Sequence, residues 1–272
     1  MKKAVFSASI LVAGVAFAGV TDVVGDYVIG VMPVSADGKK EVVLSVPWVE
    51  EGGLSDGIAV TNLVKTAGLS EGDTLTWYNT SSGKFQCWRV AAGTGGTNYW
   101  EGVEVTGEAG SSQTPPTDAA LKQGQAIVLT RDETETDNRI YVVGQVGTNA
   151  TVTTTLPSHD GSADKWYLLA PPVGLTSTVD FNTCASVAGG WVSCVGDEIT
   201  IDVASTGLPV KYSCADLGAE AEPRYVWTSS KYGSSHAATI PAGRGFWYKR
   251  AKANQDALTI TWAGVPHVSS AE

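Results

Sequence analysis

Four cysteines, three histidines and one dense run of carboxylates are the residues of this chain best equipped for chemistry. Cys87, Cys184, Cys194 and Cys214 permit three disulfide pairings. The short separation across Gly189-Gly190 favours Cys184 with Cys194, worth about 3 kcal/mol in the loop-entropy view, and leaves Cys87 with Cys214 at about 5 kcal/mol. A zinc site would want a Cys-x-x-Cys step or a neighbouring His, and the cysteines have neither. His159, His236 and His267 each lie in a Ser-, Gly- or Pro-bearing loop. Ser234-Ser235-His236 sets hydroxyls beside a base, but triad partners meet in the fold and not in sequence, and no Gly-x-Ser-x-Gly elbow exists. The stretch 132–138 gathers oxygens of the kind calcium takes, without EF-hand spacing or its central Gly; the corresponding loop 251–256 carries Lys252. A solvated hairpin tip is the simpler reading. No catalytic residue, metal or cofactor is expected.

Aromatic rings are the remaining candidates. Nine Trp and nine Tyr include the adjacent pairs Trp77-Tyr78, Tyr99-Trp100, Trp166-Tyr167 and Trp247-Tyr248. Neighbours in a strand face opposite sides, so one ring of each pair must point away from its own core, toward a sugar or toward another part of the chain. Trp88, Tyr99 and Tyr232 are the least constrained rings and are the binding candidates, with glycans or other envelope and extracellular proteins as expected partners.

The elements that must position these rings repeat themselves. The segment 121–131 aligns without gaps on 240–250, keeping Gly124 with Gly243 and Arg131 with Arg250. Upstream, Gly72-Asp73 answers Gly196-Asp197, Cys87 answers Cys214, Trp100 answers Trp227, and Ser45-Val46-Pro47 answers Ala170-Pro171-Pro172. This order predicts tandem units over 19–149 and 150–272, with 151–164 as a polar connector. Asp73 and Asp197 read as turn formers that cap backbone N–H groups, with Arg131 and Arg250 as their candidate partners. Alternation at Ile199, Ile201, Val203 and at Leu258, Ile260, Trp262 predicts antiparallel strands. Further strands are expected at 27–34, 42–46, 74–78, 85–90, 125–130, 140–145, 166–170, 210–214, 225–228 and 245–249. Short helices are expected at 59–66 and 180–187, each closed by glycine. The fold class that follows is all-β, two tandem sandwich- or barrel-like units with one or two short helices.

A Trp opening a strand that ends in Pro, a Gly-Asp turn, a mid-module Trp, then Pro241-Ala242-Gly243-Arg244-Gly245-Phe246-Trp247 and a closing strand ending in Gly264 form a pattern. It resembles a β-rich module that recurs in exported bacterial and archaeal surface proteins. The second unit matches well; the first matches loosely, with Val128-Leu129 in place of the aromatic pair. The opening Thr21-Asp22-Val23-Val24-Gly25 is similar to the mature start of secreted proteins built from such units. The resemblance implies an exported, non-catalytic protein and supplies no activity.

Composition agrees with export. Lys2-Lys3, a mostly apolar stretch and Ala16-Phe17-Ala18 have the three regions of a secretory leader, 1–18. The longest later apolar run, 166–175, is short and holds two prolines, so no membrane span is expected after cleavage. A formal charge of -10 repels phosphate backbones and excludes nucleic acid as a partner. The sequence thus describes a secreted protein of the periplasm, cell surface or exterior. Its expected role is structural or surface-associated, with a glycan-binding module as the alternative and a secreted hydrolase third.

Overall fold

The computed structural model describes residues 20–24, 27–35, 41–46, 58–59, 64, 66, 69–79, 84–103, 120–121, 124–131, 139–145, 152–172, 178–202, 209–219, 224–229, 231–232, 237–241 and 243–263. The leader 1–18, the acidic stretch 132–138, His236 and His267 lie outside these residues. The first half contains β1 (Val20–Val24), β2 (Tyr27–Ser35), β3 (Glu41–Ser45), β4 (Ile58–Ala59), β5 (Thr74–Asn79), β6 (Lys84–Ala92), β7 (Asn98–Val103), β8 (Ala120–Leu121), β9 (Ala126–Thr130) and β10 (Arg139–Gln145). In the second half follow β11 (Val152–Leu156), β12 (Lys165–Leu169), β13 (Val179–Asp180), the single-turn helix α1 (Phe181–Cys184), β14 (Ala185–Val187) and a 3-10 turn (Trp191–Cys194). The chain closes with β15 (Glu198–Asp202), β16 (Pro209–Asp216), β17 (Tyr225–Thr228), β18 (Thr239–Ile240), β19 (Phe246–Arg250) and β20 (Leu258–Trp262).

The protein is all-β and antiparallel, in two sandwich-like units of matching plan. The first unit has a five-stranded sheet ordered β3-β9-β5-β6-β7, the second one ordered β12-β19-β15-β16-β17; each is accompanied by a two-stranded ribbon, β4-β8 or β13-β18. A three-stranded sheet completes each half, β1-β2-β10 and β11-β20-β14. Period-two alternation explains the second core: β19 and β20 turn Phe246, Tyr248, Arg250, Leu258, Ile260 and Trp262 inward. There Phe181 meets Trp227 and Phe246 edge-on, with ring centroids 5.3 and 5.1 Å apart. Aliphatic residues such as Leu44, Leu75, Ile127 and Leu129 fill most of the first core, around Trp88.

Three expectations need correction. The supposed connector 151–164 contains β11, whose Val152, Thr154 and Leu156 face inward against β20. The helix expected over 180–187 is cut to α1: Asp180 Oδ1 accepts from Asn182 N–H at 3.0 Å to start it, then Ala185–Val187 pair with β20, and a sheet partner outcompetes helix continuation. Of the helix expected over 59–66, Ala59 belongs to β4, while 60–63 and 65 lie outside the described residues.

Each unit is closed by a buried acid–base clasp. Asp197 Oδ2 accepts from Arg250 Nη1 at 2.7 Å and from the Tyr248 hydroxyl at 2.6 Å, while Oδ1 accepts from Ala251 N–H at 2.8 Å and Asn254 Nδ2 at 2.7 Å. Neither Asp197 nor Arg250 is more than 2% exposed. Burial alone would lower the Arg250 guanidinium, but the Asp197 carboxylate outweighs it and holds the group above its ordinary value. In the first unit Arg131 Nε lies 3.9 Å from Asp73 Oδ2, which also accepts from Ser70 N–H at 3.1 Å.

The units are sewn together through the outer faces of β3-β9 and β12-β19. Val43, Ala126 and Val128 pack on Leu168 and Ala170, with Trp247 against them. Ser45 N–H donates to the Gly243 carbonyl at 2.9 Å and Ala170 N–H to the Gly124 carbonyl at 3.0 Å. Those four residues are two sequence-matched pairs, so each bond is the counterpart of the other with the units exchanged. Gly124 and Gly243 both adopt positive φ, 87° and 68°, which orients their carbonyls across the seam at no Cβ cost. Gly245 serves by size: a Cβ there would stand 2.5 Å from Ala126 Cβ and 2.8 Å from the Leu169 carbonyl oxygen.

Two substitutions test this construction. Asp197→Ala leaves a buried guanidinium uncompensated, and an expected loss of about 3–5 kcal/mol should appear in urea unfolding; a loss below about 1 kcal/mol would contradict the clasp. Gly245→Val should cost about 1–3 kcal/mol by overpacking the seam, with a matching fall in thermal midpoint; an unchanged midpoint would show that the two faces do not press together there.

Candidate functional site

Beside the seam, the packed faces part into an open cleft of about 610 Å³ lined by Phe85, Asp164, Lys165, Trp166, Thr200 and Trp247. Its aromatic side follows from strand alternation. In β12 Tyr167 turns into the core and Trp166 out, 43% exposed; in β19 Tyr248 turns in and Trp247 out. Phe85, 39% exposed, arrives from β6 of the other unit. The Trp247 ring stands between the other two, 6.3 Å from Trp166 and 6.5 Å from Phe85, with interplanar angles of 82° and 64°.

A charged row borders Trp166. Lys249, opposite Trp166 in the ladder, lies 2.6 Å from Glu198 Oε2 and 3.5 Å from Asp164 Oδ2, with its ammonium 5.9 Å from the Trp166 ring centre. Lys211 reaches Glu198 from the other side at 3.1 Å. The hydrogen bond to Glu198 raises the Lys249 ammonium above its ordinary value. Burial would raise the Glu198 carboxyl, but hydrogen bonds from Lys249 and Lys211 hold it below the usual range. These charges are therefore neutralised in place, and the cleft offers flat rings with a polar rim.

The residues singled out from sequence are dispersed. Trp88 is only 2% exposed, a correction: it faces inward from β6 opposite Leu75 and fills the first core. Tyr99, 51% exposed on β7, and Tyr232, 40% exposed beyond β17 with the Lys231 ammonium 5.1 Å from its ring centre, sit on different units. Trp166, Trp247 and Phe85 are the rings that meet. The signal for the first two was present in the adjacent pairs, since a Tyr and a Trp side by side in a strand cannot share a face. Phe85 has no such signal, because only the approach of the two units brings it there.

The thiols are corrected as well. All four cysteines are unbonded in this structure. Val90 N–H bonds the Asp73 carbonyl at 2.8 Å as Cys214 N–H bonds that of Asp197 at 3.0 Å, so Cys214 is matched in the first unit by Val90 and not by Cys87. An odd shift of three places reverses the face. Cys87 lies opposite Thr76 and is half-buried, Cys214 is buried in the core of the other unit, and the pair cannot meet. Cys184 and Cys194 are not joined either: Cys184 closes α1 and its carbonyl accepts from Ala263 N–H at 2.8 Å, whereas Cys194 ends the 3-10 turn, with Arg250 Nη1 4.0 Å from its sulfur. Burial pushes the Cys184 and Cys214 thiols up to about 12 and raises Cys87 and Cys194, which deprives all four of thiolate character. His159 Nδ1 accepts from Gly161 N–H at 3.1 Å within its own loop. Among the described residues no group of three or more His, Cys, Asp or Glu could hold a metal ion, and no helix is long and apolar enough to cross a membrane.

The thiols make stability pH-dependent with a definite sign. The unfolded chain releases thiol protons from about pH 9 and phenol protons from about pH 10, while the fold retains them on Cys184, Cys214 and, by burial, Tyr248. The contribution of these groups is complete below about pH 9 and should be lost as pH rises toward 12, seen as a declining urea midpoint under reducing conditions and a shallower decline in Cys184→Ala. A midpoint constant from about pH 8 to 11 would contradict this. No protein-family model, curated protein or solved structure matches the chain.

Proposed function

We propose that the chain is an exported, non-enzymatic, surface-associated protein that binds carbohydrate in the cleft of Phe85, Trp166 and Trp247. The single observation that carries this reading is the cleft itself, three rings at two angles with hydrogen-bonding groups on the rim. The C–H face of a sugar ring suits an exposed indole, and the carboxylate of Asp164, the ammonium of Lys165 and the hydroxyl of Thr200 suit its hydroxyls. Export rests on the leader 1–18, and the non-enzymatic reading draws on where the charges shared by the two units go: Asp73, Asp197, Arg131 and Arg250 are all committed to the clasps. We infer further that the units arose by duplication, given the sequence-matched bonds exchanged across the seam. A purely structural role draws on β7, last in its sheet order among the described residues; β17 is last in the other sheet, but Asn182 already accepts from the Trp227 N–H at 2.9 Å and donates to its carbonyl at 3.3 Å.

Intrinsic Trp fluorescence of the mature protein, titrated with a panel of soluble polysaccharides, tests the reading. A saturable change with at least one glycan is expected, weakened about tenfold or more in Trp166→Ala and in Phe85→Ala and unchanged in Tyr99→Ala and Tyr232→Ala. Silence across the panel, with assemblies larger than a monomer on size exclusion, would replace carbohydrate binding by the structural role.

A further inference from the structure

We propose that Cys194 and Cys214 are a disulfide-forming pair, closed by thiol–disulfide exchange while the second unit folds, and that Cys87 and Cys184 remain thiols. The backbone brings the two residues to one place. Cys194 ends the 3-10 turn, and its carbonyl accepts from Asp197 N–H at 2.8 Å; the Asp197 carbonyl in turn accepts from Cys214 N–H at 3.0 Å, and Gly196 N–H donates to the Cys214 carbonyl at 3.2 Å. Cys214 is therefore bonded on both sides to the two residues that complete the turn begun at Cys194. Its thiol donates to the carbonyl of Trp191, the first residue of that same 3-10 turn, at 3.4 Å. Both side chains are buried in the same core, 0% and 2% exposed. The electrostatics register the proximity: after burial, the neighbouring Cys194 is the next cause of the rise in Cys214.

Comparison of the units shows that the pair is not required by the frame. In the first unit Asp73 N–H bonds the Ser70 carbonyl at 3.1 Å, Val90 N–H the Asp73 carbonyl at 2.8 Å and Gly72 N–H the Val90 carbonyl at 3.0 Å. The same turn and ladder are thus built with Ser70 and Val90, and only the second unit carries sulfur at both corners. The other cysteines are held elsewhere. The Cys184 carbonyl accepts from Ala263 N–H at 2.8 Å, and Cys87 lies between the Thr76 hydroxyl and the Trp88 carbonyl, both at 3.8 Å from its sulfur.

The reaction needs an external disulfide. A thiolate of one cysteine attacks a small-molecule disulfide such as oxidised glutathione, releasing one glutathione thiolate; the second cysteine then displaces the other glutathione from the mixed disulfide. The protein loses two protons and two electrons, and the oxidant becomes two thiols. Burial suppresses both thiolates once the core has closed, so exchange belongs to folding and is slow in the reduced native protein. The closed loop would enclose β15, which supplies Thr200 to the cleft and Glu198 to the charged row beside it. The chemistry does not depend on the carbohydrate reading and is tested apart from it.

The test is refolding of the full chain from denaturant in mixed reduced and oxidised glutathione, thiol blocking with N-ethylmaleimide, proteolysis and mass mapping. The expected product joins the Cys194 and Cys214 peptides and leaves Cys87 and Cys184 blocked; a bridge that includes Cys87 or Cys184, or four blocked thiols, overturns the proposal. As a second readout, oxidation should raise the urea midpoint of the wild-type chain and of Cys87→Ser, but of neither Cys194→Ser nor Cys214→Ser. A gain that survives in Cys214→Ser likewise overturns it.

Discussion

A guanidinium buried to 2% exposure is tolerable only if its charge is answered at contact distance, and Asp197 answers that of Arg250 at 2.7 Å. That demand arranges much of the second unit. It fixes the Gly-Asp turn, since Asp197 must point back under the sheet; it fixes the end of β19, since Arg250 must face inward; and it recruits Tyr248, Ala251 and Asn254 to satisfy the remaining lone pairs. The 3-10 turn is tied in too, because Arg250 Nη1 also donates to the Ser193 carbonyl at 2.8 Å. Such a clasp adds less net stability than a hydrophobic substitute of similar shape can, but it accepts one geometry only. The specificity of the turn is its structural return.

The seam between the units shows how a near-symmetric construction produces a unique surface. On one side of the correspondence stands Val128, on the other Trp247, both directed outward toward the opposite unit. A valine is covered completely by its neighbours, 6% exposed, whereas the indole overfills the space and emerges beside Trp166 and Phe85. The counterpart of Trp166 across the correspondence is Glu41, so the mirror position lacks the aromatic wall. The cleft is therefore a consequence of unequal side chains on equal backbones.

Much of this was legible in the sequence. Strand periodicity located β17 and β20 to the residue and most other strands within one or two places, because half-buried strands must alternate. The shared Gly, Asp and Arg residues were also readable, since their roles are local to a turn and a strand end. Register was harder. Cys87 and Cys214 looked equivalent because both follow the Gly-Asp strand, yet three residues separate true from apparent alignment and set the sulfurs on opposite faces. Trp88 was read as one of the less constrained rings, although Val90 two places on shares its buried face, and β11 was hidden by threonines that pair with β20 as readily as valines would. The cleft could not be foreseen entire: Trp166 and Trp247 belong to alternation within one unit, but Phe85 depends on docking between two.

Gly124 gives the seam a meaning beyond geometry. The space a Cβ would need at Gly124 is taken by the Thr154 hydroxyl, 2.1 Å away, and by Trp262 Nε1, which donates to that hydroxyl at 2.9 Å. A corner of the first unit thus rests on a hydrogen bond inside the core of the second, and its resting place does not exist until that core has assembled. The dependence is mutual, because Gly245 of the second unit is seated just as closely against Ala126 and Val43 of the first, so a disturbance in either core is passed across the seam to the other.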